Sequence, residues 1–203
     1  MNIPRMPFPV AERRLGARPV VFGMQAWVLI LLGLSFARYD AAIAKMVSLA
    51  EAEVSFEAPP GFSALNAEEM RLIYQTNQPP KYAVGNEART TTIGYDLAEA
   101  AIRLDQLKEA KPALESMFER SRSRVVWKQR EIITLQGQPW ISFELTFHGS
   151  DGEGTDIEFH DILLMTSRHG RLLRISFNST QEEFLTVENA LRKTIQSIRF
   201  TRK

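Results

Sequence analysis

Glu144, Thr146 and His148 occupy every second position of one segment, and Asp156, Glu158 and His160 every second position of the next. In extended chain alternate side chains share a face, and a turn over 149–155 (GSDGEGT) brings the two sets side by side. Two imidazoles and several carboxylates on one face are the donor types that hold zinc or a similar ion. The spacing matches no diagnostic ligand pattern, so the expected state is a solvated sheet face with cross-strand pairs. Asp151, Glu153 and Asp156 alternate as in a calcium loop. The sixth position, where the sharp turn demands glycine, is Asp156, and Thr155 stands at the fifth, which argues against that reading.

Asp161 falls on the apolar side of its segment beside Phe159 and Leu163, where a carboxylate needs a partner. Arg130 and Arg174 are the candidates, with a functional role as the alternative. His148, His160 and His169 all fall at or near hairpin ends, where side chains are usually solvated. There is no G-x-S-x-G, no ordered triad, no glycine-rich phosphate loop and no cysteine. Trp127, Trp140 and Tyr74 are of the type that lines a ligand groove, but their spacing favours core packing. No catalytic, cofactor or metal site is assigned to any residue.

The segments around these residues divide by period. Val54-Ser55-Phe56 alternates and runs into Pro59-Pro60-Gly61. A helix is predicted over 66–75, capped by Asn66 with Glu69 three residues on, and ended by Pro79-Pro80. Residues 89–95 are rich in β-branched side chains and read as a strand. Residues 98–120 read as a helix in which Pro112 makes a kink or opens a second helix. From 124 to 178 the period is two. Residues 125–135 and 139–148 flank Gln136-Gly137-Gln138, and strands 156–166 and 171–178 flank Arg168-His169-Gly170. Ile141, Phe143, Leu145 and Phe147 form one apolar face, which Ile157, Phe159, Leu163, Met165, Leu173, Ile175 and Phe177 continue. A last helix at 181–197 carries Phe184, Val187, Leu191 and Ile195 on one stripe, capped by Ser179 or Thr180. The expected architecture is α+β: a four- or five-strand antiparallel sheet covered by amphipathic helices.

The first 44 residues are different in kind. Residues 19–37 are almost uniformly apolar and follow Arg13, Arg14 and Arg18, and Ala42 and Ala44 come after as A-x-A. A cationic start, an apolar run and small residues at the exit describe an export signal cut between Ala44 and Lys45. The same run is close to the ~20 residues that span a bilayer, so a retained anchor is the second reading and an interior core helix the third. Met24 is an alternative start, and Arg13-Arg14 opens only a poor twin-arginine motif. The domain division is therefore 1–44 as signal or anchor and 45–203 as one α/β domain, placed in the periplasm or on the extracytoplasmic side. Five arginines against Glu12 and Asp40 give residues 1–44 a charge of +3, and with +1 for the whole chain the remainder carries −2. Such a surface has no basic patch for nucleic acid.

In order, the run F-x-A-P-P-G-F at 56–62, the strand after Pro79-Pro80, the hairpin L-Q-G-Q-P-W at 135–140, R-I-S-F-N-S at 174–179 and the terminal I-Q-S-I-R at 195–199 form a familiar series. It resembles the PsbP-like superfamily, the grouping of PsbP, Mog and DcrB, over about 54–200. The resemblance implies an α/β/α sandwich around an antiparallel sheet, and a binding or assembly role without enzyme activity or cofactor. It assigns a function to no residue. The expected function is an exported, non-enzymatic module of the cell envelope acting on a protein. A small-ligand or metal carrier is the alternative.

Overall fold

A computed structural model describes residues 44–74, 79–150 and 154–201. The export segment up to residue 43 and most of the calcium-like loop (151–153) lie outside the described residues. Seven strands form the main antiparallel sheet: β3 (Ser63–Ala64), β4 (Tyr82–Gly85), β5 (Thr91–Ala101), β9 (Arg171–Thr180), β8 (Asp156–Arg168), β7 (Gln138–Ser150) and β6 (Ser123–Leu135), in that spatial order. A second sheet has the order β1 (Lys45–Leu49), β2 (Val54–Ala58) and β10 (Arg199–Phe200). The helices are α1 (Ala67–Ile73), α2 (Leu107–Ser121) and α3 (Gln181–Ser197).

Local chemistry accounts for these elements. The Asn66 carboxamide accepts from the amides of Glu68 and Glu69 while Glu69 accepts from the amide of Asn66, a complete capping box at the start of α1. Thr180 caps α3 by accepting from the amide of Glu183. The two long hairpins turn at Gln136-Gly137 and His169-Gly170, where both central residues have positive φ (53° and 73° in each). That backbone matches the right-handed twist of the flanking strands.

Both faces of the main sheet are covered. On one, α3 and the small sheet enclose Trp140, Ile162, Leu164, Ile93, Ile175 and Phe177 with Phe184, Leu191, Phe56 and Val54. On the other, α2 sets Leu107 and Phe118 against Ile141, Phe143, Leu145, Leu163 and Met165. The layers are helix, sheet and helix, the expected sandwich.

Four details differ from the sequence reading. The sheets have seven and three strands, because β1, β3, β4 and β10, of two to five residues, are too short to show a clear period of two. The helix expected from residue 98 starts at Leu107, since Ala98–Ala101 continue β5. Helix-favouring alanines are overridden there: Ala101 pairs with Arg171, whose guanidinium donates to the carbonyls of Leu97 and Ala98. Pro112 sits inside an uninterrupted α2 on its exposed side. Leu173, Ile175 and Phe177 face α3, opposite to Leu163 and Met165.

Candidate functional site

The pairing of β7 with β8 sets Thr146 opposite His160, His148 opposite Glu158 and Ser150 opposite Asp156. All six residues of the sequence pattern therefore share one face, as their alternation required. That face is not solvated along its length. Glu144, Thr146 and His160 are buried beneath α3, while His148, Asp156 and Glu158 remain at the open end. The expectation of a wet sheet face, and of a solvated His160, is thus corrected for the inner half. The residue that closes it is Phe184, whose ring stacks on the His160 imidazole with centroids 3.4 Å apart.

The buried half is a network. His160 Nε2 lies 2.9 Å from Glu144 Oε1, and His160 Nδ1 lies 2.9 Å from Gln181 Oε1 at the first turn of α3. Arg192, near the end of α3, donates to both Glu144 oxygens at 3.0 and 3.2 Å and to Glu188 at 2.8 Å. Burial pushes the Glu144 carboxyl up, but the hydrogen bonds from His160 and Arg192 outweigh it and hold the group below the usual carboxylate range. Both carboxylate oxygens and both ring nitrogens face protein partners, so this cluster ties both ends of α3 to the sheet. At the open end His148 Nδ1 contacts Asp156 at 3.1 Å, and Arg124 joins the same carboxylate at 3.1 Å. Among the described residues no group of three His, Asp or Glu side chains is placed to hold a metal ion.

Asp161 is buried on the opposite face, as expected, but with other partners. Arg122 donates to its Oδ2 at 3.0 Å and Asn178 to its Oδ1 at 2.8 Å. Arg130 instead lies over the Trp127 ring, and Arg174 forms a two-pronged pair with Asp96 at 2.9 and 2.5 Å. The reason is register: Asp161 pairs with Asn178, four residues from Arg174 along β9. The guanidinium of Arg122 reaches Asp161 from the end of α2, stacked between Phe118 and Phe147 at 4.6 and 4.9 Å. Burial raises the Asp161 carboxyl above its ordinary range despite Arg122 and Asn178.

The three aromatics are structural. Trp140 is fully buried, Trp127 packs on Phe143 and donates to Glu119, and the Tyr74 hydroxyl donates to Thr92. Burial pushes the Tyr74 hydroxyl up to about 12.

One feature escaped the sequence reading. A half-open groove of about 460 Å³ follows β5 from Asp96 to Ala100 and is bounded by Glu51, Lys81, Arg171 and Arg174. Its signal in the sequence is Pro79-Pro80, which stands just before β4 and keeps that strand from starting earlier along β5.

No family model and no curated protein sequence matches the chain. Solved structures do. The fold, a helix–sheet–helix sandwich of α+β class, is PsbP-like. Cyanobacterial PsbP (CyanoP) from Synechocystis superposes with a TM-score of 0.57 at 14% identity, covering 78% of this chain and 93% of that one. LpqN from Mycobacterium tuberculosis, described as involved in cell envelope biogenesis, superposes with a TM-score of 0.50 at 12% identity, covering 79% and 91%. The Ran-binding protein Mog1p of Saccharomyces cerevisiae reaches 0.48 at 15% identity, covering 79% and 96%.

Proposed function

We propose that the chain is an exported binding or assembly module of the cell envelope, with a protein as partner, and that it works without turnover. Residues 1–44 direct export and residues 45–203 do the work. The observation that carries this reading is the engagement of the hairpin's chemistry. Glu144 and His160, the central pair of its carboxylate–imidazole face, are held by Arg192 and Gln181 under α3. An acid–base or metal site needs a group with a free position toward its substrate. Here those positions are filled by the fold's own side chains. The setting agrees with LpqN, a protein of this fold described as involved in cell envelope biogenesis. The apolar run 19–37 after Arg13, Arg14 and Arg18 is the sequence feature that supports export; among the described residues no helix is long and apolar enough to cross a membrane.

The test is crosslinking of the full chain in intact cells with a short amine-reactive reagent. A covalent complex with one envelope protein is expected, and the His148→Ala/Glu158→Ala variant, altered only at the exposed end, should give the same complex. Absence of any complex, together with loss of cellular function in that variant, would revive chemistry on the hairpin. Substituting His160 is not a clean test of function, because the residue is buried under α3.

A further inference from the structure

β5 is longer than the strand beside it. β4 pairs with it only as far as Tyr82 opposite Tyr95, so Asp96–Ala101 have no strand neighbour on that side among the described residues. The cause is local. Pro79 and Pro80 have no N–H to offer a ladder. Pro80 folds over the sheet face instead, where a Cβ on Gly94 would lie 2.7 Å from its ring. The groove of about 460 Å³ runs along this open stretch, lined by five consecutive residues of β5.

The opposite margin of the same stretch is also irregular. Between Leu97, opposite Leu173, and Ala101, opposite Arg171, three residues of β5 face Leu172 alone. This bulge is held by Arg171, which donates to the carbonyls of Leu97 at 2.6 Å and Ala98 at 3.1 Å. Bulges re-aim backbone and end regular pairing, often next to sites. The side chains along it are small: Ala98, Ala100 and Ala101. β6, the open edge at the other end of the main sheet, is built differently. It has two register shifts and exposed Lys128 and Arg130, devices that discourage an added strand.

Charge completes the picture. Lys81 is neutralised by Glu51 at 3.1 Å and Arg174 by Asp96. Arg171 touches only carbonyl oxygens, so among the described residues this guanidinium has no carboxylate partner. Glu99 stands exposed on the rim.

We propose that this groove receives an extended segment of a partner protein, added as a strand alongside Asp96–Ala101, with a carboxylate of that segment on Arg171. Main-chain pairing through the backbone groups that Arg171 does not already engage gives such a contact its affinity, and the charge-assisted bond to Arg171 fixes its register. This rests on the binding-module reading and names its surface and the chemistry of its partner.

The experiment places a photoreactive side chain at Glu99 of the full chain, and separately at Leu185, an exposed residue of α3, in cells that make the protein. Irradiation should give a protein adduct at Glu99 that maps to a segment containing Asp or Glu. Ala100→Trp, which puts an indole into the groove, should abolish it. Arg171→Gln should lower its yield roughly tenfold, as for loss of one charge-assisted pair. An adduct at Glu99 indifferent to both variants, or one formed with a second copy of this chain, overturns the proposal. An adduct at Leu185 with none at Glu99 overturns the groove and leaves the binding-module reading standing. No protein adduct at either position overturns both.

Discussion

His160 Nε2 meets Glu144 Oε1 at 2.9 Å with both side chains at most 9% exposed, and the contact lies directly under α3. The pair is the floor of a clamp whose other jaws, Gln181 and Arg192, sit in the first and fourth turns of that helix. The polar residues most suggestive of chemistry thus fix the helix layer to the sheet. Buried polar networks of this kind specify one packing only when every member is satisfied.

Glu144→Gln should weaken the clamp by about 1.5–3 kcal/mol, the range for hydrogen bonds to a charged group. The carboxyl is held below its ordinary range in the folded state. Its stabilisation is therefore full above the unfolded pKa and disappears as pH falls through the lower folded value. Denaturant midpoints against pH should show an acid limb in the native chain that is flatter in Glu144→Gln.

Asp161 has the opposite sign. Its folded pKa is raised by burial, so the neutral form is favoured and stability falls as pH rises from the unfolded value through the folded one. Asp161→Asn should remove that decline, which the same midpoint series measures. A decline of unchanged slope in the variant would mean that Arg122 and Asn178 keep the native group ionised throughout.

Strand alternation was legible in Ile141, Phe143, Leu145 and their polar neighbours, because a period of two survives any tertiary arrangement. It could not show that Ser142, Glu144 and Thr146 are covered as well. That depends on α3 and on a small sheet built from β1, β2 and β10, two of which are separated by more than 140 positions in the chain. The candidate site was legible in the same partial way: its residues do share a face, but its role depends on Phe184 and Arg192. The partners of Asp161, Arg122 and Asn178, differ from the expected Arg130 or Arg174 for a related reason. Arg122 reaches it from the end of a helix, and no spacing rule within the strands predicts that.

The two covered faces give a direct comparison. Phe143→Ala should cost about 3–5 kcal/mol, as for a buried aromatic. Thr146→Ala, on the α3 side, should cost about 1 kcal/mol, because the residue is 2% exposed and a buried methyl is lost. Chemical denaturation of the two variants decides it, and no loss at Thr146 would mean that α3 does not cover that face.

Gly94 is a position where no side chain fits. A Cβ there would lie 2.7 Å from the Pro80 ring and 2.9 Å from both the Ser176 and Tyr74 hydroxyls. Gly94→Ala should destabilise by about 1–3 kcal/mol through overpacking. It should also free the Pro79-Pro80 segment, visible as faster amide exchange at Lys81 and Tyr82.

The proposed work of the sandwich domain outside the cytoplasm can be measured directly, because the chain has no cysteine. Leu185→Cys puts a single thiol on the outer surface of α3, at a side chain 69% exposed. A membrane-impermeant maleimide applied to intact cells should label it to the same extent as after lysis. Labelling that appears only once the inner membrane is broken would contradict export, and with it the account of this chain as an envelope binding module.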